Sequence, residues 1–476
     1  MQHHRTCISI CHIYTLGSNP KDLEFFKRAQ TELSEETKKK LVAFGSTRRK
    51  ASLVENDKQI AALVESAVPT VCIVAKGHKW QVTDILRATE EENCDMIHES
   101  VSYLSNVHGK RVFVDLEHFF DGFKFDEEYA MKCCQVAVDA GAKALVLCDT
   151  NGGTMPWEIE EVTKTVRNYF ENEITVGVHV HNDCGMAVAN SVVACKSGAG
   201  MVQGTINGIG ERTGNANLCS IIPTLSLHVG SKMGCADNLS ALTKLSKFVD
   251  EVMNLPHTSS APFVGTSAFA HKGGLHVAAM ERNPDSYQHV DPLKVGNEMR
   301  VLVSELSGRQ NIIGKIKEAG ELVGTSDTEV QQWTERSLAI LNRVKDLENI
   351  GYTFEGADAS VHLMILHASE GYCPKFRILD YSVMVFDNNV DSVSRLMKAA
   401  NKESKPTARA TMKVRTPNEG ATEHIDHLEV SDGEGPVNAL AGALLSALTP
   451  SYPTLESIEL IDYKGNRIVV LSDATK

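Results

Sequence analysis

The sequence predicts an α/β protein: a (β/α)8 TIM barrel lacking its first strand or strands, then a linker arm and a C-terminal α+β domain. Three observations carry this. Short apolar runs alternate with helical patterns through the first 255 residues, and βαβα alternation gives a parallel sheet. The runs are apolar almost throughout, as strands buried on both faces are. Polar residues capable of chemistry gather at the C-terminal ends of the runs, where a barrel builds its active site.

The strand candidates, in order, are 41–45, 71–75, 111–117, 144–148, 175–181 and 201–206. Before them, 8–16 reads as one irregular strand, and nothing supplies another, so the count falls short of eight. Between the strands, one helix opens after Asp126 as N-cap and stops near Gly141, a C-terminal glycine. Another opens at Pro156 and places Ile159, Val162, Val166 and Tyr169 on one face, with proline at a favoured first position. Pro256, Pro262, Pro284 and Pro292 break the next stretch, with Gly273 and Gly274 between them. This reads as a connecting arm of loops and short helices. A long helix follows over 328–348, with Val330, Trp333, Leu338, Leu341 and Val344 as its apolar positions. After Gly371 the strands 376–385, 408–414, 427–430 and 457–462 are expected, with one helix after Pro436 carrying Val437, Leu440, Leu444 and Leu448. The expected domains are therefore 1–255, an incomplete barrel, 256–372, the arm and helical subdomains, and 373–476, a separate domain of the usual size.

The 476 residues are 42% hydrophobic and 23% charged, ordinary values for a globular protein in water. The net charge of −13 and the want of any basic run argue against a nucleic-acid surface. No apolar stretch approaches membrane-spanning length, and the N-terminus lacks the apolar region of a signal peptide. The 12 cysteines form no C-x-x-C pair, and several sit inside apolar runs. They read as small buried hydrophobes of a reducing compartment, the cytoplasm or an organelle interior.

His179 and His181 end one strand and, being two apart, share a face. Neutral imidazole is the commonest side-chain metal ligand. Asn215, in a second strand-to-helix turn, adds an oxygen, which makes most of a mononuclear metal site. Asp115 and Glu117 also share a face at a strand end, and a carboxylate there holds substrate or shuttles protons, or simply ends a strand in solvent. Thr150 lies in Asp149-Thr150-Asn151-Gly152-Gly153, which suits a substrate carboxylate and equally suits a turn. Ser46-Thr47-Arg48 ends a further strand. Gly208-x-Gly210 is not a dinucleotide fingerprint, because its third glycine is misplaced. In the arm, His276 lies on a glycine-flanked loop, followed by Tyr287; such a histidine is a general base or an ordinary polar loop residue.

Together these motifs resemble the acyl-CoA-condensing, metal-dependent TIM barrels, the 2-isopropylmalate, homocitrate and citramalate synthases. His179-Val180-His181-Asn182-Asp183 and Gly208–Asn215 resemble that family's paired signatures. Gly274-Leu275-His276, Tyr287, Asp291-Pro292 and Val295-Gly296 resemble its linker region. Phe44-Gly45-Ser46-Thr47-Arg48-Arg49, Glu117-His118-Phe119-Phe120-Asp121-Gly122, Cys148–Gly153 and Gly204–Gly208 look like the citramalate synthase branch. Gly435-Pro436-Val437-Asn438-Ala439-Leu440 resembles the regulatory domain.

The resemblance implies a Claisen-type condensation of acetyl-CoA with pyruvate, giving citramalate and free CoA in branched-chain amino-acid biosynthesis. It implies a divalent metal on His179, His181 and Asn215. Two imidazoles with oxygen ligands suit Mn2+, Mg2+ or Zn2+ alike. It nominates His276 as base, oriented with Tyr287 and reaching into a neighbour's barrel within a homodimer. Glu117 and Thr150 would meet the reactants, with Asp115 and Arg48 as further substrate contacts, and the C-terminal domain would bind an amino-acid effector. Other keto-acid specificities, an aldol-cleaving lyase and an inactive effector-binding paralogue are the rival readings. Two departures stand out. The family's first strand carries Asp-Thr-Thr-Leu-Arg-Asp-Gly, with a ligand aspartate and a substrate arginine, and no such run occurs here; the expectation is weak metal binding and little activity. Gln81 stands near a position where the family usually has histidine.

Overall fold

The structure is a computed structural model and describes residues 11–15, 20–171, 173–271, 276, 279–280, 282–283, 286–301, 303, 307–318, 327–354, 357–386, 407–417 and 424–458. The chain divides into two compact units, Met1–Asp358 and Ala359–Lys476. The sequence expects boundaries at 256 and 373; by packing, the expected arm is divided, with 256–358 in the first unit and 359–372 in the second.

That unit is a parallel sheet of seven strands in sequential order. They are β1 (Cys11–Thr15), β2 (Leu41–Ser46), β3 (Thr70–Lys76), β4 (Arg111–Glu117), β5 (Ala144–Asp149), β6 (Thr175–Val180) and β7 (Met201–Gln203). Six of them match the expected runs. The irregular leader strand forms over five residues, parallel to β2, with its register shifting between Ile13 and Thr15. β7 is shorter than expected. Its chain leaves the sheet when Thr205 turns to donate to the Ala216 carbonyl, and Asn207 then takes a left-handed φ of 61°.

Alternation decides what each strand offers. Outward residues such as Val71, Ile73, Val114, Leu116, Leu145 and Leu147 pack under the helices in the main core. Inward residues Val42, Cys72, Phe113 and Ala144, with Phe44 and Met201, fill the interior towards the N-terminal ends of the strands. The interior is therefore a packed plug with polar residues above it. Phe113 is wholly buried there, and its replacement by alanine costs about 3–5 kcal/mol.

The helices follow from local chemistry. Asp126 caps Glu127–Asp139 by accepting from the Tyr129 N–H, and Gly141 follows with φ 104°. Pro156–Phe170 buries Ile159, Val162 and Val166. Tyr169, expected on that face, is 61% exposed, and Phe170 is buried instead. The phenol keeps its hydroxyl in water, and the purely apolar ring next to it takes the core position. In the long helix Asp327–Asn349, Trp333, Leu341 and Val344 are buried while Leu338 is 39% exposed; the side chain of Val330 lies outside the described residues. The start of the arm packs on the sheet unit through Phe263, Val264, Phe269 and Val295 against Cys219 and Leu242.

The second unit contains an antiparallel sheet of Arg377–Val385, Ala408–Pro417 and His424–Gly433, with the helix Pro436–Leu448 against it. Its core sets Ala408, Ala410, Met412 and Val414 against Ala439, Ala443, Ala447 and Leu448. Of the expected line Val437, Leu440, Leu444 and Leu448, Leu448 is buried in this core and Leu440 and Leu444 pack against it part-buried, while an alanine stripe makes up the rest of the buried helix face. Ser457, expected to open a strand, ends the short helix Pro453–Ser457, and 459–462 lie outside the described residues.

Candidate active site

The end of β6 and the turn after β7 meet above the interior plug. His181 bridges to Asn215, the Val180 carbonyl accepts from the Ala216 N–H, and the Gly214 carbonyl accepts from the Asn182 N–H. This backbone stitching requires glycine at 214. Its φ is 96°, and a Cβ there would lie 2.0 Å from the Gly208 oxygen.

The stitching places the side chains. The rings of His179 and His181 stack with centroids 5.4 Å apart, so both lie on one face. The Asn215 amide nitrogen is 3.1 Å from His179 Nε2. Nδ1 of His179 lies 2.7 Å from Gln203 Oε1, and the Gln203 amide donates to Asp115 Oδ1 at 2.9 Å. The Cys72 thiol reaches the same oxygen at 2.9 Å. Asp115 is 2% exposed, so it lies beneath the two histidines rather than on the open surface. Burial pushes the Cys72 thiol far up, with Asp115 adding to the effect, so it stays protonated.

The donor set suits a divalent cation. Burial first, and His179 and Arg212 next, lower the pKa of His181, which keeps the imidazole neutral and able to ligate. Its Nδ1 is buried and has no hydrogen-bond partner, which is costly unless a ligand or ion uses it. No group of three or more His, Cys, Asp or Glu side chains among the described residues could hold a metal, so the set is two imidazoles and one amide. Binding through Asn215 needs its oxygen, and so the amide turned over from the orientation facing Nε2.

Thr150 uses its hydroxyl to accept from the His118 N–H at 2.9 Å, and its carbonyl accepts from Arg212 at 2.8 Å. Glu117 pairs with Lys76 at the end of β3. Arg48 is 8% exposed, and its guanidinium donates to Glu99 at 2.5 Å. In the arm, the exposed ring of His276 stacks on Tyr287 with centroids 4.3 Å apart; the preceding 272–275, with Gly274 and Leu275, lie outside the described residues. The sequence thus brings His179, His181 and Asn215 into one cluster and His276 and Tyr287 into another.

Gln203 and Cys72 were not singled out as site residues from the sequence, and Arg212 entered only as a member of the Gly208–Asn215 motif. Gln203 carried a signal: an amide in an apolar strand, in register with His179. Arg212 and Cys72 carried none beyond their neighbours.

Residues 22–249 match the HMGL-like family and 263–345 the homocitrate synthase post-HMGL domain. An (R)-citramalate synthase of Aquifex aeolicus is 44% identical over 447 residues, covering 94% of this chain and 79% of that protein. The chain belongs to the (R)-citramalate synthase family. A family member from Geobacter sulfurreducens is 43% identical over 450 residues, covering 94% of this chain and 79% of that protein. A 2-isopropylmalate synthase of Sulfolobus acidocaldarius is 31% identical over 326 residues, 68% of this chain and 80% of that protein. The citramalate synthase likeness thus extends through the second unit at higher identity, in keeping with the branch-like details around Glu117, Thr150 and Asn207. The ten cysteines with described side chains are free thiols, and no described helix is long and apolar enough to cross a membrane.

Proposed function

We propose that this chain is an acyltransferase that condenses acetyl-CoA with pyruvate, giving (R)-citramalate and CoA. The observation that carries the reading is the His179–His181–Asn215 cluster at the C-terminal ends of β6 and β7, in a chain of the citramalate synthase family. These three residues would hold a divalent cation, Mn2+, Mg2+ or Zn2+, and such an ion supplies Lewis-acid stabilisation of the oxygen that becomes an alkoxide on attack. Water then cleaves the thioester and releases CoA.

The remaining roles fall on the chain's own groups. His276 takes a proton from the acetyl methyl group at a ring nitrogen, with Tyr287 stacked on it to fix its plane. The Thr150 hydroxyl has an acceptor engagement with the His118 N–H and is left free to donate to a substrate carboxylate. Glu117 contacts substrate from the end of β4, with Lys76 as counter-ion. Asp115 lies too deep for direct contact and acts from below, and Arg48 braces the end of β2 through Glu99. A homodimer, with His276 serving the partner's site, and an amino-acid effector on the second unit complete the proposal.

The test is a panel of pyruvate, 2-oxoisovalerate and 2-oxoglutarate with acetyl-CoA, read as release of free thiol. Pyruvate should give the highest kcat/KM. A preference for either bulkier acid overturns the assignment, and no turnover with any acid supports the inactive paralogue.

A further inference from the structure

Beneath His179 runs a chain of side chains for which the reaction has no direct use: Cys72, Asp115 and Gln203, donated by three strands, β3, β4 and β7. Its polarity can be read from one end to the other. We infer that Gln203 is a positioning residue that locks His179 in the tautomer with the proton on Nδ1, so that Nε2 presents a bare lone pair to the cation site. The inference rests on the proposed metal role of His179.

The polarity of the chain is set at Asp115. A carboxylate only accepts. Its Oδ1 receives two groups, the Cys72 thiol at 2.9 Å and the Gln203 side chain at 2.9 Å. Gln203 must therefore turn its NH2 towards Asp115, because the opposite orientation would set two acceptor oxygens against each other in a buried site. With the NH2 so committed, the only atom Gln203 has left for His179 is Oε1, 2.7 Å from Nδ1. A carbonyl oxygen cannot donate, so Nδ1 carries the hydrogen. A neutral imidazole has one N–H, and Nε2 is bare. The far side agrees: the group facing Nε2 is the Asn215 amide nitrogen, a donor, at 3.1 Å. The two links from Asp115 through Gln203 to Nδ1 each have one donor and one acceptor, and reversing either sets like against like.

Direct contact between Asp115 and the ring does not do this work. The Asp115 Oδ2 to His179 Nδ1 separation is 3.8 Å, beyond a hydrogen bond. Gln203 is thus the intermediary, and a carboxamide is required because one side must donate and the other accept. Cys72 helps to hold Asp115 as an acceptor. Losing an outer partner of a ligating histidine typically costs about 10–100-fold in metal affinity.

The test uses the full chain with 15N-labelled histidine, recording two-bond 15N–1H correlations for His179 (assigned by loss of its signals in His179→Ala) and Mn2+ binding by titration. The parent protein should show the Nδ1–H form. Gln203→Met should mix the tautomers and weaken Mn2+ binding by about 10–100-fold, with an unchanged circular dichroism spectrum. Gln203→Glu should also weaken it, since two carboxylates then meet. Adding Asp115→Asn to Gln203→Glu should restore tautomer and affinity, because the donor then comes from position 115 and the acceptor from position 203. A space-filling role predicts no such rescue. An Nε2–H signal in the parent protein, or Gln203→Met binding Mn2+ within twofold of the parent with the tautomer intact, overturns the inference. If the parent shows Nδ1–H, lost in Gln203→Met, yet binds no Mn2+, the metal reading fails and the tautomer assignment stands. Should Gln203→Met fail to fold, the double variant decides: without restored Nδ1–H, the inference is wrong.

Discussion

Arg212 clasps Asp183 with two parallel hydrogen bonds, Nε to Oδ1 at 2.8 Å and Nη2 to Oδ2 at 2.9 Å. The pair joins the loop after β6 to the turn that carries Asn215. The same guanidinium donates to the Thr150 carbonyl beyond β5. One side chain therefore ties together three strand ends of the candidate site, and its hydrogen bonds lower the Asp183 pKa.

Arg212→Ala should separate stability from activity. The pair is exposed, and exposed ion pairs contribute little to folding, so the melting temperature should hardly move. Placement of Asn215 should suffer, and a misplacement of about 1 Å can cost 10²-fold. Synthase kcat/KM is expected to fall about 10–100-fold, with Arg212→Lys recovering only part, since an ammonium lacks the bidentate fork. An unchanged kcat/KM would show that the clasp is ornamental to the chemistry.

Gly214→Ala should be worse, for a backbone reason. The new Cβ would lie 2.0 Å from the Gly208 carbonyl oxygen, at a φ of 96° that L residues avoid. Neither neighbour is a flexible side chain that can step aside. The turn must open, moving Asn215 away from His179. The expected outcome is loss of detectable Mn2+ binding with the far-ultraviolet circular dichroism retained. Normal Mn2+ affinity would mean that Asn215 contributes no ligand.

The strands were legible because a parallel sheet buried on both faces writes apolar runs, and the β6 histidines were legible because period-two alternation puts residues 179 and 181 on one side. Other features were hidden for definable reasons. β7 is cut short by a hydrogen bond from Thr205 to Ala216, which no local propensity announces. Tyr169 and Phe170 are adjacent aromatics, and which one enters the core depends on the hydroxyl's need for water. In the second unit a stripe of alanines joins the expected Leu448 in the buried contact, with Leu440 and Leu444 packed beside it, because close packing of a helix on a sheet rewards small residues at the centre. From its spacing Asp115 reads as a carboxylate that holds substrate or shuttles protons, or as a strand end in solvent, and neither reading buries it. Its burial depended on partners from two other strands, Cys72 and Gln203.

Asp149 offers a pH test. Burial raises its pKa above the ordinary value of about 3.9, despite the bond from the Thr154 hydroxyl at 2.8 Å. A raised carboxyl binds its proton more tightly folded than unfolded. Its stabilising contribution is full below about pH 3.9 and is lost as pH rises through the folded value. Asp149→Asn is neutral throughout and keeps one oxygen for Thr154. The melting temperature of Asp149→Asn minus that of the parent should therefore increase from pH 4 to pH 7. A difference that is flat, or that shifts in favour of the parent protein, would place the burial cost elsewhere.

His276 is proposed to act in a partner's site. It lies in the arm, outside the strands that carry His179 and His181, with its exposed ring against Tyr287. Suppose the dimer has two-fold symmetry, as most do. Each site then takes its metal ligands from one chain and its base from the other. His179→Ala and His276→Ala homodimers are both inactive. Mixed one to one and allowed to exchange, half of the dimers pair one of each variant. In such a dimer one site receives both lesions and the other receives neither. The mixture should recover about a quarter of the parent activity. If instead His276 serves its own chain, every site in every dimer carries a lesion, and mixing recovers nothing. The readout is thiol release before and after subunit exchange, with heterodimer content measured by native mass spectrometry. Abundant heterodimers with no recovered activity would sink the shared-site arrangement and put the base within the chain that bears His179.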